Sequence, residues 1–158
     1  MNTQDRKIVI KNLSEADKRD ISTWKYSSEY STFNYATEKN GWIDKYCCEK
    51  NAYCYGVKDN NELVGLFMFI QKYENEFRIL INPSCLSQGY GKQITNEALR
   101  IGFEELNLEQ ISLIVRQNHP VAIKLYEKLG FEIVGETTQP LNGEQMNFYK
   151  MLKNKTPF

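Results

Sequence analysis

The chain has 158 residues, 41% of them hydrophobic, and its 20 basic and 20 acidic side chains cancel. That length favours a single domain over 1–158, and with no Lys/Arg run longer than two the balanced charge excludes a protein built to track nucleic acid. The longest apolar run, Leu63 to Ile70, is eight residues, which is too short to cross a bilayer and reads as a buried strand.

"RKIVIKNL" from Arg6 alternates and predicts a first strand. Ser14 then offers an N-cap for a helix reaching to about Tyr26. The stretch from Tyr26 to Gly41 is polar, aromatic and irregular, and "GWIDKYCCEK" predicts a second helix. Two strands follow around the turn "KDNN", a hairpin signal. "EFRILINP" is another strand, stopped by Pro83. From Gly89 the period changes, with Ile94, Ala98, Ile101 and Glu105 on one helix face and an end near Asn107. "QISLIVRQN" reads as a buried strand. Pro120 suits the first position of a helix, and Gly130 suits its stop. "FEIVGETTQ" and "QMNFYKML" are two strands joined through Asn142-Gly143. The order β-α-α-β-β-β-α-β-α-β-β predicts an α/β (α+β) fold with a mixed sheet and helices packed on it.

Residue chemistry narrows the function. The four cysteines, Cys47, Cys48, Cys54 and Cys85, form no C-x-x-C pair and read as reduced thiols. The start "MNTQDRKIVI" lacks a signal core, so the expected location is cytoplasmic. His119 is the only histidine. Most zinc sites are thereby removed, and one candidate base is left for a nucleophile system, without a nucleophile motif. The expected chemistry needs no metal and no covalent intermediate.

"LSQGYGKQ", Leu86 to Gln93, is the most informative turn. A P-loop would need a glycine at Leu86 and a hydroxyl at Gln93. A dinucleotide loop would need a third glycine at Ile94. Both fail. A strand, then Gly89-Tyr90-Gly91, then a helix start offers free N–H groups and a favourable dipole to a pyrophosphate. The competing reading is a tight strand-to-helix turn that holds nothing.

A second segment, "NHPVAIKLYEKLGFEIVGE" from Asn118 to Glu136, decides between them. Together with "INPSCLSQGYGK" it resembles the GNAT superfamily of acyl-CoA-dependent N-acetyltransferases. The matching residues are Pro83, Gly89, Gly91, Asn118, Ala122, Leu125, Tyr126, Glu127, Lys128, Gly130 and Phe131. Leu86 departs from the Arg or Gln usual in that family, which puts the tightness of CoA binding in doubt. The resemblance implies a single mixed, splayed sheet of about seven strands with helices on both faces. It also implies acetyl-CoA as cosubstrate and direct transfer to a primary amine in a ternary complex.

The resemblance carries roles onto residues. The turn Gln88, Gly89, Tyr90, Gly91 and Lys92 would hold the pyrophosphate. Backbone near Ile79 and Ile81, with Asn118, would hold the pantetheine arm. Tyr126 would donate to the departing thiolate. Glu76 lies where some members carry a catalytic carboxylate, with Glu29 as a weaker alternative. The loop Trp24 to Glu38 would shape the acceptor site, where Trp24, Tyr26, Tyr30 and Tyr35 around Glu29 suit a cationic amine. The same aromatics also suit a loop folded onto itself. The stretch is similar to bacterial members of unassigned substrate. A neutral chain with an aromatic pocket points to a small-molecule amine before a protein N-terminus or lysine. A markedly acidic acceptor face would favour a polyamine or aminoglycoside. A non-catalytic acyl-CoA sensor is the reading of another class, and pairing into a homodimer is compatible with the resemblance.

Overall fold

The structure, a computed structural model, describes residues 6–27, 34–37, 41–47, 49–141 and 143–156. Seven strands form one mixed sheet in the order β1-β2-β3-β4-β5-β7-β6. They are β1 (Ile8–Asn12), β2 (Ala52–Asp59), β3 (Glu62–Gln71), β4 (Asn75–Ile81), β5 (Gln110–Arg116), β6 (Glu132–Leu141) and β7 (Glu144–Asn154). Every neighbouring pair is antiparallel except β4 and β5, which run parallel. The expected mixed sheet of about seven strands is therefore present.

Local chemistry explains the connections. The β2–β3 turn places Asn60 at φ 53° and Asn61 at φ 67°. Both are left-handed, as a two-residue hairpin turn of matching twist demands, and asparagine tolerates that region. β3 is apolar on both faces because it is covered on both. Phe67 and Phe69 face α4 (Tyr90–Arg100), while Leu66, Met68 and Ile70 face α1 (Glu15–Ile21) and α3 (Trp42–Cys47). The helices thus lie on both faces of the sheet.

The helices before β2 differ from the sequence expectation. α1 ends at Ile21 instead of near Tyr26. The Ser22 and Thr23 hydroxyls donate to Arg19 O at 2.6 Å and Asp20 O at 2.7 Å, and such local bonds compete with helix continuation. The chain then runs extended and buries Trp24 and Tyr26 in the second core. A one-turn helix, α2 (Asn34–Thr37), appears in the stretch read as irregular. The Asn34 side chain ties it back by accepting from Tyr26 N and donating to Tyr26 O, at 2.7 and 2.9 Å. The long helix beginning at Tyr90 closes with a π turn over Ile101–Glu105. α5 (Pro120–Lys128) follows β5 at once.

Candidate active site

β4 and β5 meet at one position, Glu76 opposite Ser112, and then separate. The closed end of this splay is tied by side chains. Asn75 Nδ2 donates to Gln110 O at 2.9 Å, and Lys150 of β7 is ion-paired with Glu74. The Lys150 bond holds the Glu74 carboxyl below its ordinary value. Beyond Glu76 the β5-facing edge of β4 has no strand partner. Asn82 N donates to Val64 O at 2.9 Å, so Asn82 and its alternates Leu80 and Arg78 point their backbone groups at β3, while Phe77, Ile79 and Ile81 point theirs into the gap. Ile79 therefore offers an N–H and a C=O to the gap. The Ile81 carbonyl accepts from the Tyr26 hydroxyl. Unpaired backbone groups at such an edge require partners from water or ligand.

The glycine turn lies past the open end. A 3₁₀ turn at Pro83–Cys85 leads to Ser87 at φ 60° and Gly89 at φ 85°, and Gly89 caps α4. A left-handed cap explains Gly89. It does not explain Gly91, whose φ is not left-handed and whose missing Cβ would meet nothing within 4 Å. No internal contact demands a glycine there, and open space at the first turn of a helix is what a close-lying anion needs. Gln88 and Lys92 are exposed beside it, whereas the Tyr90 ring turns inward and its hydroxyl donates to Asp59 Oδ2 at 2.6 Å. Burial and that carboxylate push the Tyr90 phenol up.

The loop has a second support that the sequence did not announce. Arg6 stacks its guanidinium on Tyr90, 3.9 Å from the ring centroid, and donates to Gln88 O. Its own carbonyl accepts from Gln93 Nε2 at 2.9 Å. Its Nη1 is buried without a hydrogen-bond partner among the described residues. Leu86, in the place of the expected Arg or Gln, packs instead against the core on the α1–α3 face.

A cavity of about 520 Å³ opens within the splay. Glu76, Ile79 and Tyr126 line it together, with Trp42 and Tyr46 from α3 and His119 at the start of α5. Tyr126 is half-buried, with its ring edge-on to Phe131 at 5.8 Å. Its hydroxyl has no hydrogen-bond partner among the described residues, and burial pushes the phenol up to about 12. Asn118 is exposed in the turn before α5 and is not on the cavity wall. His119 accepts from Ala122 N at 3.3 Å, which makes it the helix cap. A second hollow, of about 690 Å³, lies apart from these residues between β1, β2 and the end of the long helix.

The acceptor side corrects part of the sequence expectation. Trp24 and Tyr26 are 4% and 5% exposed and belong to the core, not to the cavity wall. The early end of α1 folds them down, and burial pushes the Tyr26 phenol up. Glu29 and Tyr30 lie outside the described residues, as does the Tyr35 side chain. From the helices of the acceptor side, Trp42 and Tyr46, one turn apart on α3, do reach the cavity. That i, i+4 spacing was the available signal. Glu76 is not isolated, since Arg78 Nε donates to its Oε2 at 2.8 Å. The Arg78 guanidinium carbon lies 5.4 Å from the Trp42 ring and 5.0 Å from the Tyr46 ring.

A partly unzipped parallel pair beside a glycine turn, with a phenol between them, is the geometry expected from the resemblance. Residues 17–131 match the acetyltransferase (GNAT) family. The chain belongs to that family. It is an acetyl-CoA-dependent N-acetyltransferase. Among curated relatives, the spermidine N(1)-acetyltransferase of Escherichia coli (strain K12) is 28% identical over 132 residues, covering 80% of this chain and 69% of that protein. The Vibrio cholerae spermidine N(1)-acetyltransferase is 28% identical over 149 residues, 90% of this chain and 83% of that one. Among solved structures, a spermidine N-acetyltransferase chimera from Vibrio cholerae and hSSAT superposes with a TM-score of 0.80 at 26% identity, covering 94% and 95% of the two chains. The Vibrio cholerae enzyme in complex with CoA and spermine shares the fold, with a TM-score of 0.78 at 24% identity over the same shares. A further Vibrio cholerae structure, in complex with manganese ions, is 27% identical with a TM-score of 0.75, covering 94% of this chain and 92% of that one. No helix among the described residues is long and apolar enough to cross a membrane.

Proposed function

We propose that this enzyme acetylates a small-molecule primary amine by direct attack on acetyl-CoA bound in the β4–β5 splay. The observation that carries the reading is Gly91, a glycine that no internal contact requires, beside a gap into which Ile79 points its backbone groups. The pyrophosphate rests on the turn Gln88 to Lys92, with Gly89, Gly91 and the free helix N–H groups as its cradle. The pantetheine arm pairs with Ile79 and with the remaining N–H of Ile81. An N–H on this edge polarises the acetyl carbonyl.

The proton balance assigns two side chains. A lysine-like amine has a pKa near ~10.4, so the nitrogen must shed a proton to attack and another afterwards. Glu76, at the closed end of the gap, takes it directly or through water. Tyr126 donates to the sulfur as the thiolate forms. A phenol raised to about 12 is a weaker acid than an ordinary thiol near ~8.5, so its work is a hydrogen bond to the developing charge, and the leaving sulfur gains its proton as the base gives one up. No step passes through a metal. The reading places one such domain in the cytoplasm, where its thiols stay reduced.

The cavity's size supports a small acceptor, because the same 520 Å³ must also admit the end of the pantetheine arm. The relatives named for spermidine set the first amines to try. The test is release of CoA thiol in the presence of an amine panel, with Tyr126→Phe alongside. The expected loss in kcat is about 10²- to 10⁴-fold, with the KM for acetyl-CoA little changed. An unchanged kcat removes Tyr126 from the mechanism. A pH–rate profile that is unmoved by Glu76→Gln assigns the base to water.

A further inference from the structure

Among the described residues, the acceptor half of the cavity carries more basic than acidic side chains, the opposite of what a polyamine needs. Three basic side chains among the described residues line it, Lys45 of α3, Arg78 of β4 and Arg116 of β5, together with one carboxylate, Glu76. Glu76 is already engaged by Arg78 Nε. The remaining groups on that wall, His119, Gln139 and the rings of Trp42 and Tyr46, add no negative charge.

Arg78 is the centre of this arrangement. Its Nε is fixed on Glu76, and Trp42 and Tyr46 both lie near its guanidinium. Its two terminal nitrogens have no hydrogen-bond partner among the described residues, and they are not buried. A guanidinium held in place with its paired N–H groups open to a cavity matches a carboxylate bidentately. From this we infer that the acceptor is a primary amine carrying a carboxylate, which docks on Arg78 while its amine faces the acetyl group. The inference rests on the amine-acetyltransferase reading above and narrows its substrate class.

The same charges favour the chemistry. Nearby cations disfavour an ammonium and lower the pKa of the attacking amine. An amino-carboxylate offsets part of that charge through its contact with Arg78. A polyamine brings further ammonium groups into a basic cavity, where like charges repel.

The experiment compares matched amines at saturating acetyl-CoA. Glycine, β-alanine and γ-aminobutyrate are set against ethylamine, propylamine and butylamine, and against putrescine and spermidine. The expected result is that the best amino-carboxylate exceeds its matched neutral amine in kcat/KM by about tenfold or more, as a charge-assisted hydrogen bond provides. In Arg78→Gln that preference ratio falls toward one. Taking a ratio cancels any effect of the substitution on Glu76, which both amines share. Lys45→Gln, at an exposed position, lowers the ratio by a smaller factor without touching the sheet. Preference for putrescine or spermidine overturns the inference and leaves the acetyltransferase reading standing, as does a ratio unchanged in Arg78→Gln. If no amine is acetylated although acetyl-CoA raises the melting temperature, the inference fails and the cofactor site stands. If acetyl-CoA itself gives no stabilisation, the underlying reading fails with it.

Discussion

Tyr126 faces the cavity with a hydroxyl that is unpartnered among the described residues and a phenol raised to about 12. The sign of that shift matters for pH dependence. A raised value keeps the phenol protonated beyond the ordinary ~10, so the donor survives while the acceptor amine ionises. The profile of kcat/KM should climb with amine deprotonation and show no falling limb near pH ~10. A descending limb at the ordinary phenol value would falsify the burial of Tyr126. Arg6 supplies a second residue-scale prediction. It stacks on Tyr90 and donates to Gln88 O, so it stiffens the turn and places a positive charge beside it where Leu86 has none. Arg6→Leu should raise the KM for acetyl-CoA about tenfold, as loss of a charge-assisted bond does, with kcat held and partial rescue by Arg6→Lys. Steady-state kinetics against acetyl-CoA checks it. At this scale the sequence spoke unevenly. Glycines and the "LYEKLGF" run have local meaning and were legible. The aromatics of the Trp24 loop were not. An aromatic reads the same whether it lines a cavity or fills a core, and where α1 ends decided that Trp24 and Tyr26 fill a core.

β4 is the element on which the site depends, because it is zipped at one end and open at the other. The closed end rests on the Glu76–Ser112 pairing, on Asn75 donating to Gln110 O, and on the Glu74–Lys150 pair. Asn75→Ala should cost about 1–2 kcal/mol by leaving a partly buried carbonyl unpaired. For a chain of this size that lowers the melting temperature by roughly 2–8 °C, and it should raise the KM for acetyl-CoA through a loosened gap. Thermal unfolding and kinetics read the two effects separately. Apart from the one-turn α2, element order was legible because periodicity is a local property. The splay was not, since "EFRILIN" shows nothing of where its pairing stops. That depends on what β5 and α5 do more than thirty residues later. The resemblance brought it in.

Over the whole molecule the sheet divides the chemistry between two hydrophobic cores. One holds α4 and the proposed donor turn, the other α1, α3 and the proposed acceptor wall. Acetyl-CoA at about a hundredfold above its dissociation constant should add about 2.7 kcal/mol of stability, which raises the midpoint by roughly 5–10 °C. Gly91→Leu tests whether the turn is responsible. With open space at that Cβ, the free protein should melt at its usual temperature or slightly above it, since glycine is a poor helix residue. The shift with acetyl-CoA should disappear. An intact shift in this variant locates the pyrophosphate elsewhere. The unzipped edge of β4 has a further consequence. In the proposed reading the donor is met chiefly by peptide groups, which every residue type possesses, whereas the acceptor is met by side chains. Substitutions along β4 can therefore rewrite which amine is accepted without erasing the grip on the cofactor. Descendants of one such chain can diverge in diet while sharing one acetyl source, and substrate is the first property that kinship in this fold ceases to report.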